Sequence, residues 1–404
     1  MFEPMSKAFA SNPYKFYARL RELDEPYFYE NANAYLLSRY SDVDAAARNP
    51  DLVRSLEVFM HPDDVKAQQR AMNWHDMPNH ERFVQSNLLE RDGDSHFRLR
   101  LIVLRTLSRS FVEKHRESLN TKVDSLLHRL MQKVEFDFVE DFASQIPSFT
   151  IGDLLGVPRK DCHRLKGWSE NIVQFFDVER TAAHKTLAEN ATTEFYLYLS
   201  DLVARRRKKP QEDLISSLVL ARDAGEMSES ELISTCMLTL AAGHGSTIDA
   251  LSSGMYTLAS NPSQVNLLRR APGYIQQAVQ EIFRYESPLP FFHRFARQAL
   301  ELNGKTYPKG TKFGLLYGSA NRDPRHWPSP DTFNIARDQN RHVAFGRGAH
   351  LCLGNYLARF TLEVVFLEIL RRTSGIEISQ PRPTFRPGLS SRGLTSLRLT
   401  LVPK

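Results

Sequence analysis

Five kinds of feature are scarce or missing in this chain of 404 residues, and each absence narrows what the protein can be. Apolar runs are short and repeatedly cut by charge, and no stretch of about 18 apolar residues occurs, so no membrane-spanning helix is expected. The N-terminal stretch MFEPMSKAFASNPYKF lacks a hydrophobic signal core, which argues against export. Only three cysteines are present, Cys162, Cys236 and Cys352. They lie far apart with no Cys-x-x-Cys spacing, so neither a disulfide framework nor a zinc site follows. No low-complexity linker divides the chain. A large excess of one charge sign is also missing: the net charge of +6 permits an anionic partner without pointing to nucleic acid. The most basic run, Arg205-Arg206-Arg207-Lys208-Lys209-Pro210, ends a helix-like segment and is expected to face solvent. The expectation is a cytoplasmic protein with no membrane and no nucleic-acid partner.

What is present begins with a core: 42% hydrophobic residues are ample for one. The informative stretch is Phe345-Gly346-Arg347-Gly348-Ala349-His350-Leu351-Cys352-Leu353-Gly354. It precedes Leu353, Leu357, Phe360, Val364 and Leu367, whose spacing marks the buried stripe of a helix. Cys352 is thereby placed at a helix N-terminus, where unpaired N–H groups favour a thiolate, a good metal ligand. Gly346 and Gly348 allow a tight turn and close approach to something flat, while Phe345 can shield the sulfur. A lone cysteine is ordinarily just a small buried hydrophobe. The ten-residue context reverses that, because it resembles the haem-binding loop of the cytochromes P450 at every fixed position of Phe-Gly-x-Gly-x-His-x-Cys-x-Gly. The resemblance makes Cys352 the proximal thiolate ligand of the iron of haem b.

Further motifs extend the resemblance over essentially the whole chain. His96 and Arg100, four apart on an amphipathic helix, would otherwise read as a solvated pair. They are similar to the family's His-x-x-x-Arg, whose cations bind a haem propionate. Glu281 and Arg284 match a Glu-x-x-Arg that the family buries near the cysteine loop. Between that pair and the loop come Ala320-Asn321-Arg322-Asp323-Pro324, Pro328-Ser329-Pro330-Asp331-Thr332-Phe333 and Arg337. Asp213-Leu214-Ile215-Ser216 resembles the segment before the family's long central helix. Arg294 matches another propionate-binding arginine, so the implied clamp is His96, Arg100, Arg294 and His350. Leu289, Phe291 and Phe292 are candidate walls of the substrate pocket, with plain core packing the alternative for the two phenylalanines.

The central helix is readable in its own right. Ser228 with Glu231 forms a capping box, and apolar or small residues continue to Asn261-Pro262, predicting one helix of about 30 residues. Its middle, Ala241-Ala242-Gly243-His244-Gly245-Ser246-Thr247, holds two glycines, each costing about 1 kcal/mol relative to alanine. Such a cost is accepted where another body comes close, and the resemblance says that Ala242 and Gly243 lie against haem. The family carries Ala-Gly-x-(acid)-Thr here; this chain has Gly245 in place of the acid and Ser246 in place of the threonine. A hydroxyl remains and the carboxylate does not. Asp249, one turn beyond Gly245, could supply protons through water or could make a polar contact elsewhere.

Elsewhere the pattern is coarser. Pro13 to Leu23 reads as a helix, Tyr35-Leu36-Leu37 as a strand, and Leu56 to Leu89 as an irregular loop with short helices that covers the substrate in the family. Helices from Ser118 to Arg206 are expected to break at Pro147 and Pro158. Phe175, Phe176, Phe195 and Tyr196 could be core or a pocket roof, with core favoured.

The resemblance implies a mainly α fold with small β-sheets, one catalytic domain over residues 1–404, and haem between the central helix and the cysteine loop. It also implies a monooxygenase that takes a hydrophobic small molecule, O2, and electrons from a separate ferredoxin-type or flavin protein. Arg105, Arg109, Lys114 and Arg347 are the expected basic docking patch for an acidic ferredoxin. Gly245 motivates a second reading, in which the same site uses peroxide or performs a coupling or rearrangement. The third is a protein that binds haem or a ligand without turnover.

Overall fold

The helix behind the cysteine loop shows how burial builds this molecule. The computed structural model describes residues 2–176, 181–338, 340–380 and 382–404, and the side chain of Phe176 lies outside the described residues. That helix runs Asn355–Arg372, and Phe360, Leu362, Val364, Val365, Phe366 and Ile369 on it are buried. The expected stripe therefore widens to most of the circumference, because helices Arg116–Leu130 and Ile275–Tyr285 pack against it. Phe366 is 1% exposed and also touches the central helix, so Phe366→Ala would cost about 3–5 kcal/mol.

The central helix is two helices, not one. Glu229–Gly243 starts with the expected capping box, in which the Ser228 hydroxyl accepts from the Glu231 N–H at 3.2 Å and the Glu231 carboxylate accepts from the Ser228 N–H at 2.8 Å. The chain breaks at His244, where ψ is −70°, and resumes as Gly245–Ala259. Pro262 opens the next helix, as the Asn261-Pro262 signal predicted. The two halves belong to different cores. Leu232, Ile233, Cys236, Met237 and Leu240 pack with helix Ala182–Lys208 and its neighbours, whereas Ile248, Leu251, Met255 and Leu258 pack with helices Ile275–Tyr285 and Asn355–Arg372. The break thus sits where two apolar cores meet.

Two other expectations are corrected. Pro147 does not interrupt a helix; it lies in the first turn of Gln145–Leu155, where its missing N–H has no intrahelical partner to lose. Pro158 does separate helices. In the basic run, Arg206 is buried rather than solvent-facing, because it pairs with Asp213 and donates to the Gly156 carbonyl at 2.5 Å.

Among the described residues, three small sheets complete the fold. The largest orders its strands Tyr27–Tyr29, Ala34–Leu37, Lys312–Leu315, Phe292–Ala296 and Leu52–Val53; only the pairing of Ala34–Leu37 with Lys312–Leu315 is parallel. Strand Arg398–Pro403 lies between Phe136–Asp137 and Thr373–Ile378 in the second, and Leu300–Leu302 pairs with Lys305–Tyr307 in the third. The irregular stretch before residue 90 holds a ten-residue helix, Pro62–Ala71, and several single turns. Among the described residues, no helix is long and apolar enough to cross a membrane.

One carboxylate fixes the route into the cysteine loop. Glu281, fully buried, accepts from Arg284 at 2.7 and 2.8 Å, from Arg337 at 3.1 Å, from the Asn340 amide at 2.9 Å and from the Asn334 N–H at 3.0 Å. Arg284 in turn donates to the carbonyls of Asn321, Pro330 and Thr332. Opposite charges removed from water require such saturation; either partner alone would leave an uncompensated buried ion.

Candidate active site

Cys352 opens onto a cavity of about 250 Å³ between the central helices and the cysteine loop. The loop reaches it through two backbone turns. Gly346 and Gly348 have φ of +69° and +68°, and a Cβ on Gly348 would lie 2.6 Å from the Ala47 carbonyl oxygen, so both positions need glycine. The Cys352 N–H donates to the Phe345 carbonyl at 2.9 Å, closing the loop on itself. The Phe345 ring is held between Phe283, 4.5 Å away, and the Arg359 guanidinium, 4.8 Å away.

The helix behind the loop begins at Asn355, three residues after the cysteine. Burial pushes the Cys352 thiol above its ordinary value, while the Gly354 N–H and the nearby Arg100 and Arg359 favour the thiolate. The N–H at the helix start thus favours the thiolate while burial opposes it. Desolvation outweighs it, and a cation at the sulfur is what would reverse the balance.

Four cationic or basic groups face the same cavity. His96 and Arg100 come from helix Gly93–Thr106, Arg294 from strand Phe292–Ala296, and His350 from the cysteine loop. Their rings and guanidinium groups converge: His96 and His350 are 4.3 Å apart, and Arg100 donates to the Leu351 carbonyl at 2.7 Å. Arg294 is 3% exposed and donates only to the neighbouring His293 carbonyl at 2.9 Å. Among the described residues, no carboxylate lies within ion-pair distance of Arg100 or Arg294. Burial lowers both arginines and holds His96 down at about 4, with His350 and Arg100 adding to the effect. His350 alone has an acid, Asp92, at 2.9 Å, and Asp92 is itself held by the N–H groups of Arg54 and Ser55. A buried and a half-buried arginine without a carboxylate partner, beside a thiol, suit a ligand that brings its own carboxylates and a metal.

The opposite bank is the broken helix. Ala242, Gly243, Ser246 and Thr247 line the cavity. A Cβ on Gly243 would meet Ile151 at 3.0 Å, so part of the need for glycine is a neighbouring side chain. The Ser246 hydroxyl donates to the Ala242 carbonyl at 2.6 Å. Gly245 does not line the cavity, and a Cβ there would meet nothing within 4 Å. Asp249 is not brought to the site. It is buried and bonded at 2.5 Å to Arg386, from the C-terminal segment, and burial raises its carboxyl while that arginine opposes the shift. Among the described residues that line the cavity, none carries a carboxylate.

Of the three candidate walls, Leu289 and Phe292 line the cavity. Phe291 points away and packs with Phe2, Tyr17, Leu36 and Leu316. Phe175 and Phe195 are core residues, as favoured, and Tyr196 stacks on Phe83 at 4.7 Å. The basic docking patch is largely neutralised: Arg105 pairs with Glu226, Lys114 with Glu212 at 3.3 Å and Arg347 with Asp44 at 3.3 Å, while Arg109 rests on Tyr356.

Sequence reasoning missed Asp92 behind His350, and also His244. His244 is fully buried, bonds to the Ser148 hydroxyl at 2.8 Å, has no partner for Nδ1 among the described residues, and is held down at about 4 by burial. The polar run around Asp92 and the histidine between two glycines were the available signals.

Comparison with known proteins agrees with this geometry. A family model described as Cytochrome P450 matches residues 78–271 and 272–394. The polyketide biosynthesis cytochrome P450 PksS of Bacillus subtilis (strain 168) is 31% identical over 411 residues, which covers 99% of this chain and 98% of that protein. The structure of epothilone D-bound cytochrome P450epoK superposes with a TM-score of 0.92 at 28% identity, covering 100% of both chains. CxnD, a cytochrome P450 enzyme for C–S bond formation in chuangxinmycin biosynthesis, gives 0.85 at 29% identity and covers 98% of this chain and 96% of its own.

Proposed function

Because the chain belongs to the cytochrome P450 family, whose cofactor is haem b, we propose that it is a haem-thiolate monooxygenase acting on a hydrophobic small molecule with electrons from a separate redox protein. The observation that carries the reading is the convergence of Cys352 with the buried Arg294 and the half-buried Arg100, neither of which has a carboxylate partner among the described residues. Cys352 is the iron ligand, Arg100, Arg294, His96 and His350 hold the propionates, and Gly346, Gly354, Ala242, Gly243 and Phe345 shape the faces against the ring. Bound haem supplies the oxygen chemistry, in which one atom of O2 enters the substrate and the other leaves as water.

The chain's own residues then set proton supply. The Ser246 hydroxyl already gives its proton to the Ala242 carbonyl, so it must turn to donate into the cavity. Thr247 adds a second hydroxyl, and neither Gly245 nor Asp249 offers a carboxylate there. Protons must therefore come through water or from the substrate. Leu289, Phe292, Leu88 and Leu89 keep the chamber apolar and favour a hydrophobic ligand. The test is the ferrous CO complex of the purified protein: a red-shifted Soret band supports thiolate ligation, and its absence overturns the reading.

A coupling reaction is the second reading. It is favoured by the acid-free cavity together with the likeness to CxnD. Product formed under labelled O2 separates the two: insertion leaves one labelled oxygen atom in the product, and coupling leaves none.

A further inference from the structure

Tyr317 is a buried tyrosine of the cysteine cavity that no motif of the chain includes. It opens the short helix Tyr317–Ala320 and is 3% exposed. The backbone on either side is pinned: the Leu316 N–H donates to the Leu37 carbonyl at 3.0 Å, and the Gly318 N–H to the Pro290 carbonyl at 3.1 Å. The ring belongs to an apolar cluster with Leu37, Val43, Ala47, Leu315 and Val343, and lies 6.1 Å from Phe292. A phenylalanine would fill that space equally well. What the tyrosine adds is a hydroxyl. Tyr317 lines the cavity of Cys352, with that hydroxyl beside Gly346 of the cysteine loop, where a Cβ would lie 3.4 Å from the oxygen. Among the described residues the hydroxyl makes no hydrogen bond, whereas those of Tyr14, Tyr40, Tyr198 and Tyr356 each donate to an oxygen. Leaving a buried hydroxyl without a partner is costly.

The surroundings select the partner. Arg294, Arg54 and Arg347 lie near enough to favour the phenolate, yet burial outweighs them and keeps the group a neutral phenol, which has one hydrogen bond to give. Arg294 donates only to the His293 carbonyl and has no carboxylate partner among the described residues. A phenol and a guanidinium that face one cavity, both with donors to spare, suit a single carboxylate that accepts from the two together. We propose that Tyr317 is a fifth member of the clamp, its hydroxyl donating to a propionate of the haem beside Arg294. The proposal rests on the haem-thiolate reading and adds to its cofactor site a residue outside the family's motifs. It also explains why the chain keeps a polar atom at a position where packing asks only for a ring.

The experiment compares the substrate-free holoenzyme with Tyr317→Phe and with Tyr307→Phe, the latter removing a hydroxyl that is also without a partner among the described residues but does not line the cavity. Transfer of haem to an acceptor protein should be about tenfold faster in Tyr317→Phe and unchanged in Tyr307→Phe. The propionate bending band in resonance Raman spectra should move to lower frequency in Tyr317→Phe alone, a signature that loosened packing does not produce. A native transfer rate with an unmoved band in Tyr317→Phe overturns the proposal, and so does equal acceleration in both variants. If Tyr317→Phe changes only the affinity for added ligands, the hydroxyl serves a polar group of the substrate, and the proposal falls. These outcomes are read on a native protein that shows the thiolate CO band; without that band the reading beneath fails, and the proposal with it.

Discussion

The two banks of the cavity are built on opposite principles. On the cysteine bank the backbone is committed: two glycines at positive φ, a closed N–H to carbonyl bond and four converging basic side chains leave one geometry. On the helix bank the backbone is interrupted at His244, the residue expected to be acidic is Gly245, and the remaining hydroxyl is turned back on its own helix. Holding a cofactor demands fixed charges and fixed distances, whereas moving a proton to a substrate leaves room for the substrate to contribute. The first bank can therefore be read from a pattern and the second cannot.

The sharpest way to break the contrast is at the rigid bank. Cys352→His should abolish the red-shifted CO band completely; a spectrum unchanged from the native protein would mean that the sulfur is not the ligand. Arg294→Ala comes next. It removes a buried charged donor, and loss of haem to an acceptor protein should accelerate by about 10- to 100-fold, the equivalent of one charged hydrogen bond. Equal rates for variant and native protein would remove Arg294 from the clamp.

At the helix bank the effects should be smaller and should depend on the substrate. Open space around Gly245 means that Gly245→Glu can be accommodated, and this variant should raise product formed per NAD(P)H consumed. Ser246→Ala should lower it. Assisted proton transfer is worth roughly 10²- to 10⁴-fold at most, and water already supplies part of that, so changes of several-fold are expected. Unchanged coupling in both variants would point to a substrate-borne or peroxide-driven route.

His244 offers the smallest effect, on stability. Its folded value near 4 lies below the ordinary 6.5, so the unfolded chain binds the extra proton between those values. Stability from this group is present above about pH 6.5 and is lost as pH falls toward 4, by roughly 3 kcal/mol in all. His244→Gln should flatten that part of the pH profile in denaturant titrations. A profile identical to the native one would mean that the imidazole does not titrate with unfolding.

How much of this was legible follows from how local each feature is. The cysteine loop and the capping box at Ser228 depend on a few neighbours in sequence and form as expected, and His96, Arg100, Arg294 and His350 line the cavity of Cys352. The two readings of Asp249 could not be separated because its partner, Arg386, lies 137 positions away, and no spacing reports such a contact. The basic docking patch dissolved for the same reason: Glu226, Glu212 and Asp44 meet their cations only in the folded chain. The break at His244 was invisible to apolar periodicity, which stays helical on both sides while the core behind it changes. Phe291 and Phe292 are adjacent and equally aromatic, and only the fold decides which one faces the cavity.

Glu281 has a consequence in time as well as in space. Its partners at positions 284, 334, 337 and 340 must all arrive before the segment leading to Phe345 has a fixed course. Closing that loop costs chain entropy that its own few contacts repay only when the carboxylate is saturated. The cysteine loop is therefore expected to set late, on a scaffold already built by the helices around it, which makes Glu281 the gatekeeper of maturation: a chain stalled before this step would be folded in most of its helices and still unable to load its cofactor.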